Sequence, residues 1–179
     1  MDSKLILQIP PPLHPAWLAH EKIFNLLAPQ PAITDPKVRQ ITHSQKCKDP
    51  NAALLSGRDS HLNYDIKIHD TQIGANPHPA SGVSHYIPIR SYNLLSNPGG
   101  PPPQYGAEGE EQKGRPIVVY YHGGGLYVGD LDSEDLTCRR ICKTLQCTVY
   151  SCDYRLMPDF TADDAISDAM RTFQAIISL

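Results

Sequence analysis

The sequence predicts an α/β fold, a mixed, mostly parallel sheet with flanking helices, and three stretches carry that expectation. Ile117-Val118-Val119-Tyr120-Tyr121 is a continuous apolar run rich in β-branched and aromatic residues, as strands buried on both faces are. Cys147-Thr148-Val149-Tyr150-Ser151-Cys152 is a second such run, and between the two Cys138, Ile141, Cys142 and Leu145 trace an apolar stripe at helical spacing. Strand, helix, strand at this separation is the crossover unit of a parallel sheet.

Taken in chain order, the first ten residues hold one basic side chain and a three-residue apolar run, too short for a signal-peptide core. No stretch reaches transmembrane length, so a soluble, cytoplasmic protein is expected. Trp17, Leu18, Phe24 and Leu27 recur at helical spacing and predict a short amphipathic helix near residues 15–28. The 17 prolines crowd mainly into the first two thirds, at 10–12, 29–36, 77–79 and 98–103, and mark loops. Tyr64, Ile66 and Ile68 alternate with Asp65, Lys67 and His69, the period of a half-buried strand. A second strand is predicted over Val83–Tyr92, where Pro88 places it at a sheet edge or on a bulge. From Ser96 to Arg115 the chain turns to Gly, Pro, Gln and Glu, a long loop with too few apolar groups to order itself. The Ile117–Tyr121 run is then expected as a central strand. Asp132, with Asp135 three residues on, is the expected cap of the following helix, whose late Arg139, Arg140 and Lys143 suit the helix dipole. Thr161 opens a last helix with an apolar face of Ala162, Ala165, Ile166, Ala169, Met170, Phe173, Ile176 and Ile177. It reaches Leu179 with no Gly or Pro to stop it.

Composition excludes several function classes. With 179 residues, 40% of them hydrophobic, the chain suits one globular domain. A net charge of -3 with scattered Lys and Arg leaves no basic stripe for nucleic acid or an anionic membrane. The five cysteines are odd in number and hold no C-x-x-C pair, so no disulfide framework is expected. Cys138 and Cys142, four apart, read as buried thiols; the eight histidines form no ligand pattern; no metal and no cofactor are assigned. The acidic cluster Asp153, Asp159, Asp163, Asp164 and Asp168 reads as helix capping and a solvated face. Arg155 reads as a structural ion-pair residue, and Tyr127 as a core or pocket side chain.

The residues that point to chemistry are Tyr121-His122-Gly123-Gly124-Gly125-Leu126-Tyr127-Val128-Gly129-Asp130, directly behind a strand. A glycine cluster there serves a tight turn with positive φ, or it brings backbone N–H groups close to a developing oxyanion. Residues 116–145, "PIVVYYHGGGLYVGDLDSEDLTCRRICKTL", followed by 149–159, "VYSCDYRLMPD", resemble the hormone-sensitive-lipase branch of the α/β-hydrolase fold. The resemblance implies a carboxylic ester hydrolase, esterase- or lipase-like, in which Gly123 and Gly124 give oxyanion-hole N–H donors, Gly125 allows the turn and His122 braces the loop. It implies a cap-like helical segment over 1–60 and the N-terminal half of the hydrolase core over 61–179. Where family members continue with Ala-Pro-Glu after Asp-Tyr-Arg-Leu, this chain has Met157-Pro158-Asp159.

A second departure concerns the reacting groups. The family's nucleophile is a serine in G-x-S-x-G followed by an acid and a histidine, and no glycine follows Gly129 and no histidine follows His122. Gly82-Val83-Ser84-His85-Tyr86 lacks the final glycine, and Ser84 reads as a strand or turn residue. The expectation is therefore a partial α/β-hydrolase fold truncated before the nucleophile elbow, with no catalytic triad, inactive alone, a fragment or truncated product whose complete form takes a small-molecule ester. The alternative is a non-catalytic ligand-binding or interaction protein on the same fold. An exposed apolar sheet edge and self-association through it follow from the missing half.

Overall fold

The computed structural model describes residues 12–24, 34–75, 82, 84–95 and 116–178. The chain divides into two compact units, Met1–Ile33 and Thr34–Leu179. The first unit holds helix α1 (Pro15–Phe24), inside the span predicted as helical. Its Trp17 Nε1–H donates to Glu21 Oε1 one turn later, at 2.6 Å. Residues 25–28 of the predicted helix, the first ten residues and the loop expected over 96–115 lie outside the described residues.

The second unit begins with a helix that sequence patterning did not predict, α2 (Pro36–Ser56). None of its residues is buried, so it shows no apolar stripe, and it carries Pro50 inside. Its start was nonetheless written in Asp35-Pro36: the Asp35 carboxylate accepts from the Lys37 and Val38 N–H groups, and Pro36 occupies the first turn, where no N–H is needed. Side chains hold α2 to the rest of the unit. Asn51 donates to the Asp132 and Ser133 carbonyls at 3.2 and 3.3 Å, Lys48 pairs with Asp132 at 2.8 Å, and Lys37 pairs with Asp159.

After a single helical turn, α3 (Leu62–Asp65), come strands β1 (Ile66–Gly74), β2 (Tyr86–Leu94) and β3 (Ile117–Tyr121), helix α4 (Asp135–Leu145), strand β4 (Thr148–Cys152) and helix α5 (Ala162–Ile177). The sheet order is β1-β2-β4-β3. It is mixed, as expected, with β1–β2 and β2–β4 antiparallel and β3–β4 parallel. Tyr64, expected to open the first strand, belongs to α3 instead. Within the described residues β3 pairs with β4 alone and so stands at the edge of the four strands, where a central position was expected.

β2 is an interior strand, contrary to what Pro88 suggested. Its last pairing with β4 is Ile89↔Cys152, and Pro88 lies one residue beyond, its carbonyl accepting from the Asp153 N–H at 3.0 Å. The N and C=O of one strand residue point to the same side, so the missing donor faces the place where β4 leaves the sheet and no ladder bond is lost.

The alternation of β2 and β4 sends side chains to two cores. Tyr92, Val149, Leu62 and Ile66 pack with Leu136, Cys138 and Cys142 of α4 on one face. Ile87, Ile89, Cys152 and Tyr154 pack with Ala165 of α5 on the other. Burying a side chain such as Ile87 or Val149 contributes about 1.5–3 kcal/mol each, and these positions close the three-layer arrangement.

Both α4 and α5 differ in detail from expectation. Asp132 does not cap α4; the N-cap is Glu134, with no side-chain cap bond, and the Asp132 carboxylate is drawn to Arg90 at 2.6 Å and Lys48. Thr161 does cap α5, in a reciprocal box with Asp164. The face that α5 buries, however, is Asp164, Ala165, Asp168, Thr172 and Ile176, whereas Ile166, Met170, Phe173 and Ile177 are exposed. The Asp164 and Asp168 carboxylates are thus interior, not part of a solvated face, because Arg155 lies beneath them.

Candidate functional site

Adjacent parallel strands end at the same edge of a sheet, and the register Tyr121↔Cys152 puts the residues after β3 and β4 side by side. His122 and the glycine loop leave β3 there; Asp153, Tyr154 and Arg155 leave β4. Tyr154 lies flat against the His122 ring, with centroids 4.2 Å apart and planes 13° apart, and its hydroxyl donates to the His122 carbonyl at 2.7 Å. His122 is 3% exposed.

The glycines of the loop differ in what the fold asks of them. Gly124 has φ +117°, and a Cβ there would stand 2.0 Å from the Val128 carbonyl oxygen. Gly129 has φ +111°, and its Cβ would stand 2.1 Å from His122 Nδ1. Gly125 takes φ +62° in open space. Gly123 has no positive φ and nothing within 4 Å of a built Cβ, so the fold places no demand for glycine on it. The turn itself closes through Gly124 O, which accepts from the Tyr127 and Val128 N–H groups at 3.1 and 3.3 Å, and through Met157 N–H donating to Leu126 O at 2.8 Å. Tyr127 is exposed.

Behind the loop, Asp130 Oδ1 accepts from the Asp132 and Ser133 N–H groups at 3.0 and 2.7 Å, and Ser133 Oγ returns a bond to Asp130 O. Arg90 of β2 holds Asp70 through two bonds, at 2.7 and 2.9 Å, which keeps that carboxyl below the usual range. A cavity of about 380 Å³ opens between α2 and the loop, lined among others by Ile41, Lys48, Gly129, Asp130, Asp153 and Leu156.

Asp153, which lines this cavity, faces a second titratable group, His122. The Asp153 Oδ1 lies 3.8 Å from His122 Nε2. Burial pushes the Asp153 carboxyl up to about 6, with Asp130 and Asp132 adding to the effect and Arg90 opposing it. The side chain keeps 31% of its surface open to the cavity, so the carboxyl is raised without being locked neutral. Burial likewise lowers the His122 value, favouring the uncharged ring. Sequence reading did not single out Asp153, Tyr154 or Gly129 as parts of this site; aligning "IVVYYH" with "TVYSCD" as parallel neighbours would have brought His122 and Asp153 together.

The serines are placed apart from any such cluster. Ser84 lies before β2, Ser133 is engaged by Asp130, and Ser151 is fully buried within β4. Among the described residues no three His, Cys, Asp or Glu side chains converge as metal ligands, and no helix is long and apolar enough to cross a membrane.

The family model described as the alpha/beta hydrolase fold matches residues 118–179, from β3 to the end of the chain. The chain carries a partial α/β-hydrolase fold. This α/β-hydrolase segment is similar to the carboxylic ester hydrolase LipN of Mycobacterium tuberculosis, 47% identical over 58 residues, which are 32% of this chain and 15% of that protein. It is similar to esterase LipI of the same organism, 46% identical over 59 residues, 33% of this chain and 18% of that protein. In fold, the chain matches a hyperthermophilic esterase from Pyrobaculum calidifontis with a TM-score of 0.59 and 22% identity, over 92% of this chain and 44% of that one. The matches thus cover less than half of the length of each of these relatives.

Proposed function

We propose that this α/β-hydrolase chain is the oxyanion-loop portion of a carboxylic ester hydrolase. The carrying observation is Gly123: neither its backbone angle nor any neighbouring atom requires glycine, yet the exposed position behind β3 is kept free of a side chain. Room of that kind suits an incoming carbonyl oxygen. Attack by a nucleophile on an ester carbon would leave negative charge on that oxygen, and N–H groups of Gly123 and Gly124 would hold it, with Gly125 forming the turn and His122 bracing it. The nucleophile, acid and base would come from outside the 179 residues, since the His122 ring is buried and its Nδ1 is taken by Gly123 O at 2.8 Å. The substrate would be a small-molecule ester. Helix α2, which walls the cavity, supports reading the segment up to about residue 60 as a cap over the core beyond it. Five cysteines without a disulfide, four of them buried, favour a reducing, cytoplasmic setting.

The structure changes which substitution tests this. Gly124→Val would collide with the Val128 backbone and disturb the loop itself. Gly123→Ala fits without strain, so in a chain extended past Leu179 into the rest of the fold it is expected to lower hydrolysis of a short-chain chromogenic ester by about 10²-fold, with thermal stability unchanged. The 179-residue chain alone is expected to be silent. Full activity of the extended Gly123→Ala variant would sink the oxyanion role. The second reading, a non-catalytic ligand-binding protein, draws on the cavity beside the loop and would be favoured by ligand binding in an extended chain that turns nothing over.

Self-association is part of the same proposal. β3 holds no charged residue, its Ile117 and Tyr121 are exposed, and the exposed Ile166, Met170, Phe173 and Ile177 stripe of α5 adjoins it through the Tyr121 hydroxyl bonded to Ala169 O at 2.7 Å. Light scattering on the purified chain is expected to give a dimer or larger, shifted toward monomer by Ile117→Lys with Met170→Lys. A monodisperse monomer at tens of micromolar (roughly the range in which exposed edges associate) would contradict it.

A further inference from the structure

We propose that His122 and Asp153 form a one-proton latch that holds the Gly123–Gly129 loop in place, with Asp153 as a positioning residue. The hydrogen-bond inventory forces the first step. Gly123 O can only accept, so His122 Nδ1, 2.8 Å away, carries the ring proton. The neutral ring then presents a lone pair at Nε2, which is buried and has no hydrogen-bond partner. What faces it, at 3.8 Å, is a carboxylate oxygen, another acceptor. Two acceptors confronting each other in a buried site are unfavourable, and one proton between them resolves the conflict.

That proton has two possible homes, giving imidazolium with carboxylate or imidazole with carboxylic acid. Burial acts in the same sense on both groups, holding His122 low and Asp153 high, and so selects the uncharged pair, in which a protonated Asp153 faces the Nε2 lone pair across 3.8 Å. The charged neighbours are divided. Asp130 and Asp132 raise Asp153 while Arg90 lowers it; Asp130 and Glu134 favour a charged His122 while His43 of α2 opposes it. Lys48 of α2 shares the cavity wall with Asp153.

The sign of the pH effect follows. Asp153 is raised from 3.8 to about 6, so its contribution is complete below 3.8 and is lost as pH rises through about 6. His122 is lowered from 6.5, so the neutral ring's contribution is present above 6.5 and is lost as pH falls through the lowered value. The latch therefore releases on its alkaline side when Asp153 ionises and Nε2 loses the proton facing it. Because Nδ1 anchors Gly123 O and the ring stacks on Tyr154, the released ring loosens the loop that follows it. Any consequence for ester hydrolysis rests on the oxyanion reading; the latch does not.

The test uses no ester. Hydrogen exchange by mass spectrometry on the 179-residue chain would follow the backbone amides of Gly123–Gly129 at pH 5 and 7.5, corrected for intrinsic exchange. Protection in the unaltered chain is expected to fall about tenfold across that range, less than the full linkage of a two-unit shift because the carboxyl is partly open to solvent. Asp153→Asn, whose amide turns an N–H toward Nε2 without titrating, is expected to keep the high protection at both pH values. Asp153→Ala is expected to show the low value at both. Flat protection in the unaltered chain, or an Asp153→Asn profile that still falls with pH, would overturn the latch; should the alanine variant fail to fold, the asparagine profile decides alone.

Discussion

Asp168→Ala is expected to destabilise the chain by about 3–5 kcal/mol, the cost of leaving one partner of a buried ion pair without its counter-charge. Arg155 and Asp168 are 6% and 0% exposed in their side chains. Arg155 Nε and Nη2 donate to the two Asp168 oxygens at 2.8 and 2.7 Å, and the Arg155 backbone N–H adds a third bond at 3.0 Å. Asp164 approaches the guanidinium at 3.4 Å, and Phe160 lies under it at 5.3 Å. With Asp168 gone, the buried guanidinium keeps only Asp164 and the face of Phe160. Most small domains have about 5–15 kcal/mol in total, so the loss takes a large share of the margin. Urea unfolding measures it. The control is Arg155→Met with Asp168→Leu, which removes both charges and is expected to recover most of the loss. A single mutant within about 1 kcal/mol of the parent would mean the pair is dispensable.

This pair also explains where sequence reading stopped. β3 and β4 were legible because a short run rich in β-branched and aromatic residues has few other uses, although β3, at the edge, buries none of its residues fully, and α5 was legible from its period and the Thr161 cap. Which face of α5 turns inward was not. Ile166, Met170, Phe173 and Ile177 look like a core stripe, yet Arg155, thirteen residues before Asp168, draws the polar side of the helix inward instead. Asp132 failed as a cap for a similar reason, since its partners Arg90 and Lys48 lie 42 and more residues away in sequence. α2 escaped because none of its residues is fully buried and only Leu54 and Leu55, at its end, pack against the core, too little to show a period. Local patterns revealed elements; long-range charge pairing decided their rotation and their ends. At the site, the glycines and His122 were visible as a motif, while Asp153 became visible only through the register of two parallel strands.

The exposed apolar stripe on α5 and the open edge of β3 lie on one side of the unit, joined by the Tyr121–Ala169 bond. The chain matches the Pyrobaculum esterase over 44% of that structure's length, so a large part of the fold lies beyond what this chain supplies. α5 buries a mixed face, Ala165 and Ile176 beside Asp164, Asp168 and Thr172, and leaves Ile166, Met170, Phe173 and Ile177 outward, an arrangement suited to a helix packed on both sides.

Gly129→Ala is expected to cost about 2–5 kcal/mol, combining the left-handed backbone with the overlap of a new methyl group. The methyl carbon would fall 2.1 Å from His122 Nδ1, 2.6 Å from Cε1 and 2.7 Å from the Gly123 carbonyl oxygen. These are the two ends of the bond that anchors the loop, so the ring cannot retreat without breaking it. Nor can it slide along its plane freely, because Tyr154 covers it at 4.2 Å. The effect differs in kind from that of Gly123→Ala, which adds a methyl group in open space and is expected to leave thermal unfolding unchanged. Run side by side, the two alanines separate what the loop needs in order to fold from what it keeps open. If Gly129→Ala melted with the parent, the ring–glycine contact would carry no weight in holding the loop, and the case for His122 as its brace would fall with it.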